Sequence, residues 1–152
     1  MGNQDSGATP SRAVLKVADL MTPDVAWVNV DEGLDTVRSL MADLRIRHLP
    51  VLDEDGDLAG IISDRDLLRA CSFFDAHTTA EQERQWLGSM RARDIMTEQV
   101  ATALVDEDIR SAAQTLYELK IGCLPVTEAD GVGRVVGILT ESDFVRLFAA
   151  GE

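Results

Sequence analysis

The chain has 152 residues, 45% of them hydrophobic and 27% charged, a balance suited to a compact body with its own buried core. Its formal net charge of −13 repels nucleic acid and anionic membrane surfaces at long range. Its two cysteines, Cys71 and Cys123, lack metal-ligand spacing, and no apolar run reaches the ~18 residues of a membrane span; a reducing cytoplasm is the expected setting, without disulfide or zinc.

Residues 1–13, rich in Gly, Ser, Asn, Asp and Thr, carry too little apolar content to order alone and read as a flexible leader. Ala26 to Val30 has strand character and precedes Asp31, a good helix N-cap. Leu34, Val37, Leu40, Met41 and Leu44 then recur at spacings of three and four, the apolar face of a helix. His48 to Leu52 reads as a strand, Asp53 to Asp57 as a polar turn, Leu58 to Ile62 as the returning strand, and Ser63 as the cap of a second helix.

Residues 71–91 form a connector in which Thr79 and Gln82 match a capping box and Gly88 a helix stop. Its Phe73, Phe74, Trp86 and Leu87 give it an apolar side that either docks on its own body or meets another protein. The order then recurs: strand Val100 to Val105, cap Asp106, a helix carrying Ile109, Ala112, Ala113, Leu116 and Leu119, strand Leu124 to Thr127, a turn at Asp130-Gly131, strand Val135 to Leu139, and helix Glu141 to Ala149. Pro50 and Pro125 lack a backbone donor, so their strands are expected at sheet edges or with irregular starts.

That recurrence is an internal duplication. Asp19 to Gly56 aligns without a gap to Asp94 to Gly131, and Gly60 to Arg69 aligns to Gly137 to Arg146 after a short insertion in a turn. Two similar units in one short chain should pack about a pseudo-twofold axis and leave two related clefts, and the function is expected there. The predicted architecture is α/β, with tandem β-α-β-β-α repeats over 14–70 and 92–152.

Gly60-Ile61-Ile62-Ser63-Asp64-Arg65-Asp66 and Gly137-Ile138-Leu139-Thr140-Glu141-Ser142-Asp143 couple a buried strand to a helix start. Ser63 with Asp66, and Thr140 with Asp143, resemble capping boxes with Asp in place of Glu, which a structural role alone would explain. The alternative is a ligand site, because a helix start suits phosphate and a carboxylate beside it can hold ribose hydroxyls. Arg65 favours the second reading: the helix dipole opposes a cation in the first turn, and a bound anion would remove that penalty. Its counterpart in the second repeat is Ser142. His48 aligns with Cys123 and reads as a packed, hydrogen-bonded histidine rather than a catalytic one.

Asp19-Leu20-Met21-Thr22 with Asp94-Ile95-Met96-Thr97, Ile46 to Val51 with Ile121 to Val126, and the paired Gly-to-Asp motifs resemble a tandem CBS-domain pair, or Bateman module, over Val17 to Arg146. The resemblance implies binding of an adenosyl ligand (AMP, ADP, ATP, S-adenosylmethionine or NAD) in the two clefts, and association into a homodimer. It places Asp66 and Asp143 at the ribose and Ser63 and Thr140 near phosphate, with Arg65 adding charge to the first site. Thr22, Pro23, Val25 and Ala26, and likewise Thr97, Val100 and Ala101, match the wall beside the purine. Arg47, His48 and Pro50, with Gly122, Cys123 and Pro125 opposite, match the other wall. The first cleft is expected to be the better phosphate site, the second weaker, empty or suited to a less anionic ligand, while Lys120, Arg134 and Arg146 leave open a phosphate contact from elsewhere. A regulatory sensor is the function implied; a ligand-independent scaffold for dimerisation or a protein partner is the alternative. No nucleophile and base pair or metal cluster suggests an enzyme.

Overall fold

The computed structural model describes residues 15–128 and 133–151; the leader and the Asp130-Gly131 turn lie outside them. The elements run α1 (Val17–Leu20), β1 (Thr22–Pro23), β2 (Val28–Asn29), α2 (Leu34–Leu44), β3 (His48–Leu52), β4 (Leu58–Ser63), α3 (Asp64–Ala70), α4 (Ala80–Ser89), α5 (Ala92–Ile95), β5 (Ala103–Leu104), α6 (Ile109–Leu119), β6 (Cys123–Thr127), β7 (Val135–Thr140) and α7 (Glu141–Ala149). The α/β class and the duplicated order are those expected. Each repeat has a short strand lying parallel on an antiparallel hairpin, β2 on β3–β4 and β5 on β6–β7. Even the register shift recurs at equivalent positions, Val51/Leu52 and Val126/Thr127.

The repeats are interlocked through the segments that lead into them. β1, at the start of the first repeat, joins the second repeat's sheet, with Thr22 opposite Ile138 and Pro23 opposite Gly137. Reciprocally, Thr97 exchanges two backbone hydrogen bonds with Ile61 of β4, at 2.9 and 3.0 Å. The cores follow the same exchange: Val17, Leu20 and Met21 pack with Leu124, Val126 and Leu139 of the second repeat, while Leu87, Ala92, Ile95 and Met96 pack with Leu49, Val51 and Ile62 of the first. Each repeat therefore completes its apolar core with chain from outside itself.

This exchange explains the glycine that opens each Gly-to-Asp motif. A Cβ on Gly60 would stand 2.7 Å from the Thr97 carbonyl oxygen, and one on Gly137 would stand 2.9 Å from that of Thr22. Both obstacles are backbone, which cannot swing aside as a side chain can. The exchange also moves the helix starts. Leu34 N donates to Met90 O, and Ala92 N and Arg93 N donate to Glu32 O and Val30 O, tying residues 30–34, where Glu32 N closes a turn on Asn29 O, to the crossing segment; Ile109 N to Leu15 O, with Val17 N and Ala18 N to Glu107 O and Val105 O, does the same in the second repeat, where Glu107 N closes on Leu104 O. Asp31 is consequently not the N-cap of α2, which begins after Gly33, and Asp31 pairs with Arg93 instead. Likewise Asp108, not Asp106, caps α6, accepting from Arg110 N at 2.8 Å.

The proline expectation also needs correction, because β3 and β6 are interior strands. Pro50 faces Ile61 and Pro125 faces Ile138. Ile61 directs its N–H and C=O outward to Thr97, so the Pro50 position carries no rung toward β4. On the other side β2 pairs only from Val51 onward, and β5 only from Val126, so the missing donors cost no ladder bond there.

The connector docks on the first repeat. Thr79 Oγ1 accepts from Gln82 N at 3.1 Å and Gln82 Oε1 accepts from Thr79 N at 2.9 Å, closing the capping box of α4. Leu87 is fully buried against the first core, Arg38 of α2 pairs with Glu83, and Trp86 meets Phe73 and Phe74 edge-on at 4.4 and 5.3 Å. Gly88 lies within the last turn of α4 rather than after it.

A Gly60→Val substitution tests the interlock. Overpacking against backbone costs about 1–3 kcal/mol, which for a domain of this size lowers the melting temperature by roughly 2–4 °C per kcal/mol. Thermal unfolding should show that loss, and Gly137→Val should match it; unchanged melting in both variants would mean that the leading segments do not hold this close approach.

Candidate functional site

The two strand-to-helix turns share a device but use it differently. Ser63 Oγ accepts from Asp66 N at 3.2 Å while Asp66 Oδ2 accepts from Ser63 N at 2.8 Å. At the second turn Asp143 Oδ2 accepts from Thr140 N at 2.8 Å and from Thr140 Oγ1 at 3.2 Å, and Arg146 donates to Oδ1 at 2.6 Å. Asp19 and Asp94 hold Lys16 N and Arg91 N in the same way, both at 2.8 Å. The structural role of these carboxylates is thus present at all four turns and occupies one oxygen at each. Asp66 keeps its second oxygen nearly free, with Arg69 no closer than 3.7 Å. Asp143, 4% exposed, has both oxygens engaged.

Two cavities lie where the repeats meet. The first, about 660 Å³, brings Ser63, Arg65 and Asp66 of the first repeat against Thr97, Val100 and Ala101 of the second, with Arg47, His48, Gly122 and Cys123 on the facing wall. The second, about 600 Å³, brings Thr140 against Thr22, Val25 and Ala26, again with Arg47, His48 and Gly122. Each cleft takes its helix start from one repeat and its facing segment from the other, a direct result of the interlock. Volumes of this size hold a small organic ligand.

Four residues expected at the site line neither cavity. Pro50 and Pro125 are buried within β3 and β6, and Pro23 is taken up in the pairing of β1 with β7. Asp143 is enclosed by its own turn and Arg146, so Arg146 is also committed. Conversely, Lys120 reaches the first cleft from the second repeat, and Gln99 and Asp24 occupy equivalent places in the first and second clefts. Asp24 and Gln99 sit inside the segments already marked as walls; only their side-chain identity, acidic against neutral, separates them.

Charge divides the clefts. Arg47, Arg65, Arg69 and Lys120 line the first, together with Asp64, Asp66 and Glu141. Among the described residues Arg47, Arg65 and Lys120 have no ion-pair partner within 4.0 Å, so Arg65 is not neutralised by Asp64, whose carboxylate accepts its backbone N–H instead. The second cleft has Arg45 and Arg47 against Asp24 and Glu141, with Ser142 where Arg65 stands in the first. Three unpaired cations in one cavity make it attractive to an anion even on a chain of net charge −13.

His48 stands between the clefts, its ring beside Gly122, where a Cβ would meet Cε1 and Nε2 at 3.4 Å. It is packed as expected, but among the described residues its ring has no hydrogen-bond partner. Burial pushes its pKa below the ordinary 6.5; Asp64, Asp66 and Glu141 oppose that shift and Arg47 reinforces it. Burial likewise raises the Cys123 thiol to about 12, which makes it inert at neutral pH.

A third hollow of about 410 Å³ lies between α2 and α3, lined by Met41, Ile46, Leu67, Leu68 and Cys71 with Arg38 and Glu83 at its rim. No described helix is long and apolar enough to cross a membrane.

The lowered pKa of His48 has a definite sign in stability. The unfolded ring takes up its proton near pH 6.5 and the folded ring only below that, so His48 favours unfolding as the pH falls through 6.5. In melting curves between pH 7.5 and 5.5, the wild type should lose stability relative to His48→Gln as the medium becomes acidic. A constant difference between the two proteins would show that the ring titrates as it does in the unfolded chain.

The CBS domain family model matches residues 17–72 and 92–150. A CBS domain-containing protein of Dictyostelium discoideum is 32% identical over 131 residues, covering 86% of this chain and 89% of its own length. Homoserine O-acetyltransferase of Methanococcoides burtonii is 34% identical over 131 residues, 86% of this chain, but this chain spans only 24% of that enzyme. Among solved structures, the CBS domain pair of protein MJ0100 in complex with 5′-methylthioadenosine and S-adenosyl-L-methionine superposes with a TM-score of 0.76 at 27% identity, covering 91% of this chain and 99% of that one. CBSX2 of Arabidopsis thaliana in complex with AMP gives 0.71 at 29% identity, covering 89% and 96%. With two matched repeats, the interlocked sheets and the paired clefts between them, the chain belongs to the CBS domain family as a tandem CBS pair.

Proposed function

We propose that this CBS pair is a regulatory module that binds an adenosyl ligand, with a phosphate-bearing adenine nucleotide in the first cleft. The observation that carries the reading is the convergence of Arg47, Arg65 and Lys120, none ion-paired among the described residues, beside the Ser63 hydroxyl and the open oxygen of Asp66. Cations suit phosphate, and a carboxylate oxygen suits ribose hydroxyls. The complexes of the MJ0100 pair and of CBSX2 support an adenosyl ligand. The second cleft, with Asp24 and Ser142 in place of Gln99 and Arg65, suits a less anionic adenosyl compound.

A ligand in either cleft touches both repeats, so it favours the relative placement that best closes on it, and signalling is a population shift set by that difference in affinity. The reading is of a binding module, not a catalyst; the acetyltransferase likeness covers only a quarter of that enzyme's length. Both thiols are free, which suits a reducing cytoplasmic location.

The helical faces supply a route to a homodimer. Tyr117, Leu119, Val145 and Phe148 are exposed on α6 and α7, and Leu44 and Leu68 hold corresponding places on α2 and α3. Singly, exposed apolar side chains are ordinary; it is their number on these helices, with Phe148 at 86% exposure and Leu68 at 70%, that supports an association surface.

Isothermal titration with AMP, ADP, ATP, NAD, S-adenosylmethionine and adenosine tests the ligand reading. A hydrogen bond to a charged group is worth ~1.5–3 kcal/mol, so Arg65→Ala should weaken AMP about tenfold or more while leaving adenosine nearly unaffected, and Asp66→Asn should weaken both. Equal AMP affinity in wild type and Arg65→Ala would remove the phosphate assignment. No binding of any of these ligands would favour the scaffold alternative. For the dimer, sedimentation should show the wild type at twice the monomer mass and Val145→Asp/Phe148→Asp as a folded monomer; a wild-type monomer at all concentrations would reject the interface.

A further inference from the structure

The two clefts are not separate rooms. Arg47, His48, Gly122 and Glu141 line both cavities, so the wall between them is made of the same four residues seen from two sides. Arg47 and Gly122 are equivalent positions of the duplication, and their backbones do equivalent work: Arg47 O accepts from Asp64 N at 2.9 Å, and Gly122 O accepts from Glu141 N at 3.1 Å. With arginine at both positions each cleft would own a guanidinium. Here the second copy is glycine, and the His48 ring stands over it. One cation therefore serves two sites.

We propose that the clefts compete for the Arg47 guanidinium, so that a phosphate-bearing ligand in one lowers the affinity of the other for a second phosphate-bearing ligand. This rests on the nucleotide reading above. Arg47 has no ion-pair partner among the described residues, and its Cα is pinned by the bond to α3, so its flexible side chain can turn to either cleft but not to both. Glu141, exposed to both cavities, adds repulsion to whichever phosphate Arg47 leaves uncompensated. The first cleft wins the competition because Arg65 and Lys120 hold the anion with Arg47, whereas only Arg45 helps in the second. A neutral or cationic adenosyl ligand in the second cleft makes no demand on Arg47 and escapes the antagonism. The coupling is reciprocal, as any linkage between binding sites must be.

The test uses AMP as probe in calorimetric titrations of the whole chain. In Ala101→Trp, which fills the purine wall of the first cleft, AMP reports the second cleft with Arg47 available to it. The second equivalent bound by the wild type should be about tenfold or more weaker than that value, in the range of a lost charged hydrogen bond. Adding Arg47→Ala to each protein should remove the difference. Gly122→Arg, whose backbone needs no left-handed conformation, should strengthen the second equivalent and keeps the test open if Ala101→Trp does not fold. Identical second-cleft affinities with the first cleft filled and blocked, or a coupling that survives Arg47→Ala, would overturn the competition while leaving the nucleotide reading intact. Absence of AMP binding in the wild type would overturn both.

Discussion

The reciprocal strand exchange between the repeats is the constraint from which the rest follows. Thr97 pairs with Ile61 and Thr22 with Ile138, and each contact requires a residue without a side chain next to it, Gly60 in one sheet and Gly137 in the other. Backbone groups left unpaired in such a place would each cost about as much as a lost hydrogen bond, so the strands and the segments crossing them stabilise one another. Because the crossing segments continue directly into Val25-Ala26 and Val100-Ala101, the exchange also builds the facing wall of each cleft. Core, helix starts and ligand cavities are thus consequences of one arrangement, and the repeats cannot move apart without opening the clefts.

Within that frame the chain uses one residue type for one local task four times. Asp19, Asp66, Asp94 and Asp143 each turn back to the N–H three residues earlier, closing the first turn of α1, α3, α5 and α7. A carboxylate so placed is held in position before any ligand arrives, which lowers the entropic cost of binding. Whether it remains available depends on its second oxygen. Arg146 takes that oxygen at Asp143, and the looser Arg69 leaves it at Asp66, so two positions alike in sequence differ in what they can offer.

Duplication followed by divergence has left the clefts similar in shape and unlike in charge. Arg65 faces one cavity where Ser142 faces the other, Gln99 stands opposite in role to Asp24, and Arg47 has no partner at Gly122. On a chain with a net charge of −13, these few substitutions set how many cations and carboxylates line each cavity. The shared wall makes that difference a matter for both sites at once, since a charge on the boundary acts in both directions.

Much of this was legible in the residues themselves. Periodicity located α2 and α6, and the hairpin strands and α7 fell within a residue of their place, because those segments carry an apolar pattern that only one secondary structure can bury. The duplication and its motifs identified the family, and Arg65 against Ser142 marked the charge difference, since each depends on residue identity alone. What the sequence could not determine is which repeat each leading segment joins: Val17–Leu20 and Ala92–Ile95 are too short to have a periodicity of their own, and both sheets present an equivalent edge. The tertiary structure chose the exchanged partner, and with it moved the caps from Asp31 to Gly33 and from Asp106 to Asp108. It also placed Pro50 and Pro125 safely inside sheets, closed Asp143 off from its cleft and brought Lys120 across to the first. Local pattern sets what each segment can become, because helices and strands are made by near neighbours; which cleft a side chain faces depends on contacts between residues distant in sequence, and these exist only once the two repeats have interlocked.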